Sequence, residues 1–303
     1  MRTAAISVNI ETMFQEFTQS IKDFFFTGTS QESREIISIL FSGMGIIFLT
    51  LGIFILILIL RLIILKSKQK KFQKKFLENI FQMESFKKEE LKINLAGLFK
   101  INGIKPDSSS EELELTGKEI RSLAVECWKL GTKIDHHTAR TENSKYVSTL
   151  VYETALRLGI EKDICIIYFC IAFVYDAGFL DIPGYFFRAE VLNSSERTLL
   201  KTHVLRASNY YGFIPEKLKI VFLMASMFHH ENANGSGYPE GLIKNEIPQI
   251  ARIVHIVESY ISLTRRRNYH KILEKDSAIQ ELKNHCQLYD LEIINQLEKV
   301  VCK

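Results

Sequence analysis

Two adjacent histidines, His229 and His230, stand directly before Glu231 and the run Asn-Ala-Asn-Gly-Ser-Gly-Tyr-Pro-Glu-Gly-Leu at 232–242. Neighbouring side chains on a helix point about 100° apart, so both imidazoles reach one metal ion only near a helix end. Gly235 and Gly237 give the chain a flexible exit there, and Pro239 stops the helix. The stretch reads as a metal-binding corner beside a substrate-facing loop. Further strong ligand types fall on consecutive predicted helices: Asp176, His203 and, after the loop, Glu258. Side chains from facing helices of a bundle can converge on a metal. A mixed imidazole and carboxylate set suits zinc, iron or manganese better than magnesium or calcium. Asp176 ends an apolar run, where a buried carboxylate needs a partner. A lone histidine is more often packed or on the surface, and His136, His137, His255, His270 and His285 are read that way.

Positioning these groups falls to helices. Leu123, Cys127, Leu130 and Ile134 mark one amphipathic helix, and Val147, Leu150, Val151, Thr154, Ala155 and Leu158 mark a second that Gly159 ends. Ile164 to Val174 is an apolar run leading into Tyr175-Asp176. Leu199 to Tyr211, Leu218 to His230, Ile250 to Leu263 and Ala278 to His285 supply further helices, and only 231–248 looks irregular. Residues 113–303 are therefore predicted to form an all-α domain with one core. Cys127, Cys165, Cys170, Cys286 and Cys302 make no Cys-x-x-Cys pair, so they are read as reduced thiols, neither disulfides nor zinc ligands.

The N-terminal part has a different character. No charged residue falls between Ile36 and Leu60, a stretch long enough to cross a bilayer as a helix, and the predicted span is 36–65. It is too long for a signal-peptide core. Arg61, Lys66, Lys68, Lys70, Lys71, Lys74 and Lys75 follow, whereas residues 1–35 carry only Arg2, Lys22 and Arg34 as cations. The positive-inside bias puts 1–35 outside as a short extracytoplasmic N-terminus and the C-terminal bulk in the cytoplasm of a single-pass inner-membrane protein. Val8, Ile10, Met13, Phe14, Phe17, Ile21, Phe24 and Phe25 recur at near-helical spacing, as in an amphipathic helix on the outer face or a lead into the span. Residues 66–112 are read as a juxtamembrane region. Its first part, 66–100, is a basic-then-mixed helix, and the linker Pro106-Asp107-Ser108-Ser109-Ser110-Glu111-Glu112 closes it. The net charge of +4 is modest, and past the basic cluster the charges mix, so nothing points to a nucleic-acid partner.

The motifs, in this order, resemble the HD-GYP family, the cyclic-di-GMP phosphodiesterase branch of the HD superfamily, over roughly residues 137–295. His229 through Leu242 is similar to the loop that names the family, and Ile247-Pro248-Gln249-Ile250-Ala251-Arg252-Ile253 to the segment that follows. Glu258 through Tyr269 stands where the family has its last metal-binding Asp and an Asp-Ala-Leu-Thr…Arg-Pro-Tyr run. Upstream, Ser195-Glu196-Arg197…Lys201-Thr202-His203 matches the helix bearing another ligand. The resemblance implies an HD-GYP-like helical bundle with Asp176, His203, His229, His230 and Glu258 as metal ligands. It also implies a cyclic-dinucleotide ligand met by Gly237, Tyr238, Pro239, Arg267 and Lys271.

One half of the implied site departs from the family pattern. Tyr175 and Phe179 replace the His and Lys of His-Asp-x-Gly-Lys, Asn143 replaces an early ligand histidine, Glu258 and Ile261 replace aspartates, and Asn268 replaces a proline. By resemblance, two or three metals share the family site and a bridging hydroxide attacks the phosphodiester. A tyrosine phenol stays protonated near pH 7, an asparagine is a weak neutral donor, and Phe179 removes a cation. The expectation is one divalent ion (iron, manganese or zinc) on Asp176, His203, His229 and His230, without a complete second position. The leading functional expectation is a degenerate module that signals by binding cyclic di-GMP or a related dinucleotide, with a protein partner or a second copy. Its alternatives are an active metal-dependent phosphodiesterase with Asp176 at its catalytic centre, and a membrane-tethered scaffold for protein partners.

Overall fold

The computed structural model describes residues 30–82, 89–98, 112–189, 191–265 and 272–302, with 12, 15, 16, 19 and 20. The chain divides into two compact units, Met1–Phe76 and Leu77–Lys303. Helix α1 (Gln31–Gln82) supplies nearly all that is described of the first. Within it, Thr50–Lys68 has a mean hydropathy of 2.3 and none of it is buried. Phe48, Leu51, Phe54, Leu58 and Leu65 are all exposed. At about 1.5 Å per residue this stretch is roughly the thickness of a bilayer's hydrocarbon core, so it is long and apolar enough to cross a membrane. A second stretch, Lys162–Asp181, has a similar hydropathy of 1.8 but is 89% buried inside the protein. Burial separates a core helix from an unpartnered one where composition does not.

The second unit begins with a feature absent from the sequence expectations. Residues 66–100 were expected to be helical throughout, but α1 ends at Gln82 and Glu90–Asn94 forms strand β1. Helix α2 (Leu95–Leu98) follows, and β1 pairs antiparallel with β2 (Glu112–Thr116), Ile93 facing Leu113 and Leu91 facing Leu115. Leu91 and Ile93 are fully buried while Glu90 and Lys92 are exposed, a period-2 alternation that only a strand can satisfy. The linker residues 106–111 and the proposed outer-face helix fall largely outside the described residues.

The remainder is helical, as expected: α3 (Gly117–His137), α4 (Asn143–Arg157), α5 (Lys162–Val174), α6 (Ser194–Lys201), α7 (Glu216–Phe228), α8 (Gln249–Thr264), α9 (Lys275–Asn284) and α10 (Leu291–Val301). Thr116 starts α3 with a capping box, its hydroxyl accepting from Glu119 N while the Glu119 carboxylate accepts from Thr116 N. Helix α5 is apolar on every side, so it can only be central, and Ile164 through Val174 are all buried. Helices α3 and α4 pack on it, and Gly131 permits the contact: a Cβ there would lie 2.7 Å from the Phe173 carbonyl oxygen. Tyr211 ties α5 to α7, its hydroxyl donating to Val174 O at 2.9 Å and sharing a hydrogen bond with Ser226 Oγ. The helix expected over Leu199–Tyr211 stops at Lys201 and gives way to two 3-10 turns, Thr202–Leu205 and Ala207–Tyr210. The tighter winding brings the His203 backbone against Gly178. Cys127, Cys165 and Cys170 are buried, Cys286 and Cys302 are exposed, and all five are free thiols.

Candidate metal centre

Helix α5 ends at Val174 and leads through Tyr175 to Asp176, which is 4% exposed. The next turn, Ala177–Asp181, crosses the His203 turn so closely that a Cβ on Gly178 would sit 1.9 Å from the His203 carbonyl oxygen. Only glycine allows this approach, and it sets His203 beside Asp176. Helix α7 stops at Phe228, so His229 and His230 leave the helix end together, the geometry their adjacency implied.

The two histidines facing Asp176 are oriented by main-chain carbonyls. Nδ1 of His203 lies 2.7 Å from Leu200 O, and Nδ1 of His229 lies 2.8 Å from Ser226 O. Those partners place a proton on each Nδ1, so each Nε2 faces Asp176 either as a lone pair for a metal ion or, when the ring is protonated, as an N–H. Against burial, the neighbouring Asp176 raises the His229 pKa. The two Nε2 atoms are 3.4 Å apart, and they stand 3.5 Å (His203) and 3.4 Å (His229) from Asp176 Oδ1. That oxygen is buried, and among the described residues it meets no hydrogen-bond partner within ordinary hydrogen-bond geometry. His230 packs beside both rings, at centroid distances of 5.2 Å and 4.1 Å, and ligand atoms of the three histidines all lie within 4.8 Å of one another. Burial, then the charges of His229 and His203, push the His230 pKa well below its ordinary value and keep its ring neutral. Burial opposes the charge of Asp176, yet His203, His229 and Arg140 hold its carboxyl well below the usual range. Imidazole nitrogens converging on a buried carboxylate oxygen are satisfied by a proton on Nε2 or by a metal ion between them, and the donor set fits a divalent transition metal.

The other half of the site is filled by protein. Arg140, which the sequence expectations passed over, sends Nη1 to Asp176 Oδ2 at 3.0 Å and to Glu258 Oε1 at 3.4 Å. Its guanidinium lies 5.1 Å over the Phe179 ring, and that ring stacks at 3.9 Å on His203. Glu258, expected among the ligands, is engaged with Arg140, and the ligand-atom cluster found among the described residues holds the three histidines without Glu258 or Asp176, although Asp176 Oδ1 lies 3.4–3.5 Å from two of them. Tyr175 packs edge-on against His229 with ring centroids 4.9 Å apart, while Asn143 and Ile261 are buried at the start of α4 and within α8.

The loop after His230 is pinned by Glu231, a fully buried carboxylate that accepts from the main-chain N–H groups of Glu240 (2.7 Å), Gly241 (3.1 Å) and Leu242 (3.0 Å). Gly237 passes against the chain it left: a Cβ would be 2.3 Å from Asn232 N and 2.5 Å from His230 O. Tyr238, joined to Pro239 by a cis peptide bond, stacks on His230 at 4.8 Å, and Lys201 Nζ lies 4.9 Å over the Tyr238 ring. Arg267 and Lys271 lie outside the described residues. Glu231 was legible as part of the loop motif and Lys201 as part of the segment leading to His203, whereas Arg140 carried no signal of its own. Of the remaining histidines, His137 Nε2 donates to Ile182 O at 2.7 Å and His255 packs at a tilt on Tyr289, ring centroids 5.0 Å apart, in keeping with packed roles.

The HD domain family matches residues 132–293. The cyclic di-GMP phosphodiesterase response regulator RpfG of Xanthomonas campestris pv. campestris is 27% identical over 202 residues, 66% of this chain and 50% of that protein. A cyclic di-GMP phosphodiesterase of Thermotoga maritima is 26% identical over 129 residues, covering 42% of this chain and 35% of its own length. The 3'3'-cGAMP-specific phosphodiesterase 1 of Vibrio cholerae is 28% identical over 171 residues, 54% of this chain and 37% of that protein. The chain spans half or less of the length of these relatives. Among solved structures, an HDG"Y"P protein from Bdellovibrio bacteriovorus aligns at 15% identity and a TM-score of 0.46, over 62% of this chain and 71% of that one.

Proposed function

Because the chain belongs to the HD domain family, we propose that it is a membrane-anchored, HD-GYP-like signalling module that binds cyclic di-GMP or a related dinucleotide around a single divalent ion. The ion would be held by the cluster of His203, His229 and His230, with Asp176 beside it, and iron, manganese or zinc suits that donor set. When bound, such an ion lowers the pKa of a coordinated water and stabilises charge on phosphoryl oxygens. The ligand class comes from the relatives, whose names record action on cyclic dinucleotides.

The observation that carries the reading is the asymmetry of the site. One half presents converging lone pairs, while the other presents a guanidinium, a phenyl ring and a phenol where ligands would be needed. Glu231 fixes the loop that offers Gly237, Tyr238 and Pro239 to the ligand, and Arg267 and Lys271 supply cations for its phosphates. Binding without useful turnover follows. In the arrangement proposed, residues 1–35 are extracytoplasmic, 36–65 cross the inner membrane, 66–112 link, and 113–303 face the cytoplasm and act on a protein partner or a second copy. The exposed apolar stretch Thr50–Lys68 supports the anchor.

Calorimetric titration of the full chain, in detergent and loaded with Mn²⁺, with cyclic di-GMP tests this reading. Saturable binding that His230→Ala weakens is expected. Absence of any cyclic-dinucleotide binding would leave the scaffold reading in its place. A working phosphodiesterase is the second reading, favoured by the intact approach of three histidines and Asp176.

A further inference from the structure

We propose that Arg140 is a built-in cation occupying the place of a second metal ion, so that the centre is restricted to one ion by the protein itself. The inference rests on the reading of His203, His229, His230 and Asp176 as the ligands of the first. Asp176 and Glu258 are both buried, and they approach one point from two directions, Oδ2 and Oε1 lying 3.0 Å and 3.4 Å from the same Arg140 nitrogen. Two buried carboxylates converging in this way define a cation site, because neither charge is tolerated in the interior without a counter-charge. Here the counter-charge is covalently part of the chain.

The carboxylate of Asp176 divides its oxygens accordingly. Oδ1 faces Nε2 of His203 and His229, and Oδ2 is taken by the guanidinium. A carboxylate bridging two metal ions through its two oxygens would need Oδ2 free, and a guanidinium does not lose its proton at any pH the protein meets. A second divalent ion would therefore have to displace a permanent cation from its own ion pair.

Two further observations show that the surroundings are built for the arginine. It lies between two non-glycine residues with positive φ, Ala139 (55°) and Glu142 (53°), a conformation such residues adopt only where the surrounding structure imposes it. The same short connection is held by Arg140 N donating to Asp135 O at 3.0 Å and by Arg265 donating to Thr141 O at 3.1 Å. Phe179, a neutral ring, faces the guanidinium at 5.1 Å, where a lysine would have set a second positive charge beside the first.

The test is the metal content of the full chain purified in detergent and saturated with Mn²⁺, read by elemental analysis and by electron paramagnetic resonance. Wild type is expected to hold one ion per chain with the six-line spectrum of an isolated Mn²⁺. An Asn143→His/Tyr175→His variant, which adds two imidazoles but keeps Arg140, is expected to stay at one. Adding Arg140→Ala to that pair is expected to raise the count to two, with the spectrum of a coupled pair. Two ions in wild type, or in the double variant, would overturn the proposal whether or not the triple variant folds, and so would a folded triple variant that stays at one. No ion in wild type would overturn the metal reading itself and this inference with it.

Discussion

Replacing Glu231 by glutamine should loosen the 232–242 loop while changing the side chain by a single atom. The carboxylate is fully buried and accepts three main-chain N–H groups, two at Oε1 and one at Oε2. A glutamine keeps one carbonyl oxygen for Glu240 and Gly241 but sets an NH₂ group against the N–H of Leu242, so one hydrogen bond becomes a donor–donor clash. The remaining two lose their charge assistance, and charge-assisted bonds are about twice as strong as neutral ones. A hydrogen bond to a charged group contributes about 1.5–3 kcal/mol, so loss of one and weakening of two amounts to about 3 kcal/mol. For a unit of this size, a loss of that order lowers Tm by roughly 6–12 °C. In hydrogen exchange, the amides of 240–242 should lose protection by roughly a hundredfold, since each 1.4 kcal/mol is about a factor of ten. A Glu231→Gln protein that melts within a degree of wild type and keeps its protection at 240–242 would refute the role assigned to this carboxylate.

Gly178→Ala places a Cβ 1.9 Å from the His203 carbonyl oxygen, so the His203 turn must shift by about an ångström, and metal retention after dialysis should fall more than tenfold; unchanged retention would refute the crossing argument. Tyr211→Phe removes the hydroxyl joining Val174 O and Ser226 Oγ and should cost about 1–3 kcal/mol in thermal unfolding, because two buried partners lose a hydrogen bond. Burial pushes the Asp135 carboxyl up from 3.8 to about 6, against the hydrogen bonds from Ser144. The folded state therefore binds this proton more tightly than the unfolded one, and the destabilisation from ionised Asp135 is full above about pH 6 and relieved as pH falls towards 4. Wild type should gain on Asp135→Asn by up to about 1.4 kcal/mol per pH unit across that window, as read from urea midpoints, and parallel pH profiles would contradict the assignment.

The parts of the site legible in the sequence are those whose spacing is set by local geometry. His229 and His230 announced a helix end because adjacent residues share a target nowhere else, and α7 does stop at Phe228. Asp176 stood out because a carboxylate closing an apolar run must be buried and partnered, and His203 followed from the motif order. Arg140 was invisible for the opposite reason. Its position depends on the backbone twists at Ala139 and Glu142, and neither an alanine nor a glutamate signals positive φ. Glu258 was placed among the ligands from its helix position and its match to the family's last metal-binding Asp, whereas its partner Arg140 comes from a distant connection. Strand β1 carried a period-2 pattern in Leu91 and Ile93, but five residues beside a long basic helix were too few to outweigh the helical trend. The core helix α5 and the apolar part of α1 look alike in composition, and only the packing of Val174, Phe173 and their neighbours tells them apart.

The account's central claim is that this site binds a cyclic dinucleotide around one metal ion without cleaving it. The most direct measurement is a stoichiometric incubation of the Mn²⁺- or Fe²⁺-loaded full chain with cyclic di-GMP, followed by chromatographic analysis of the nucleotide. The account predicts that the ligand is recovered bound and intact after many hours. Conversion to linear pGpG or GMP at a rate that His229→Ala abolishes would contradict it.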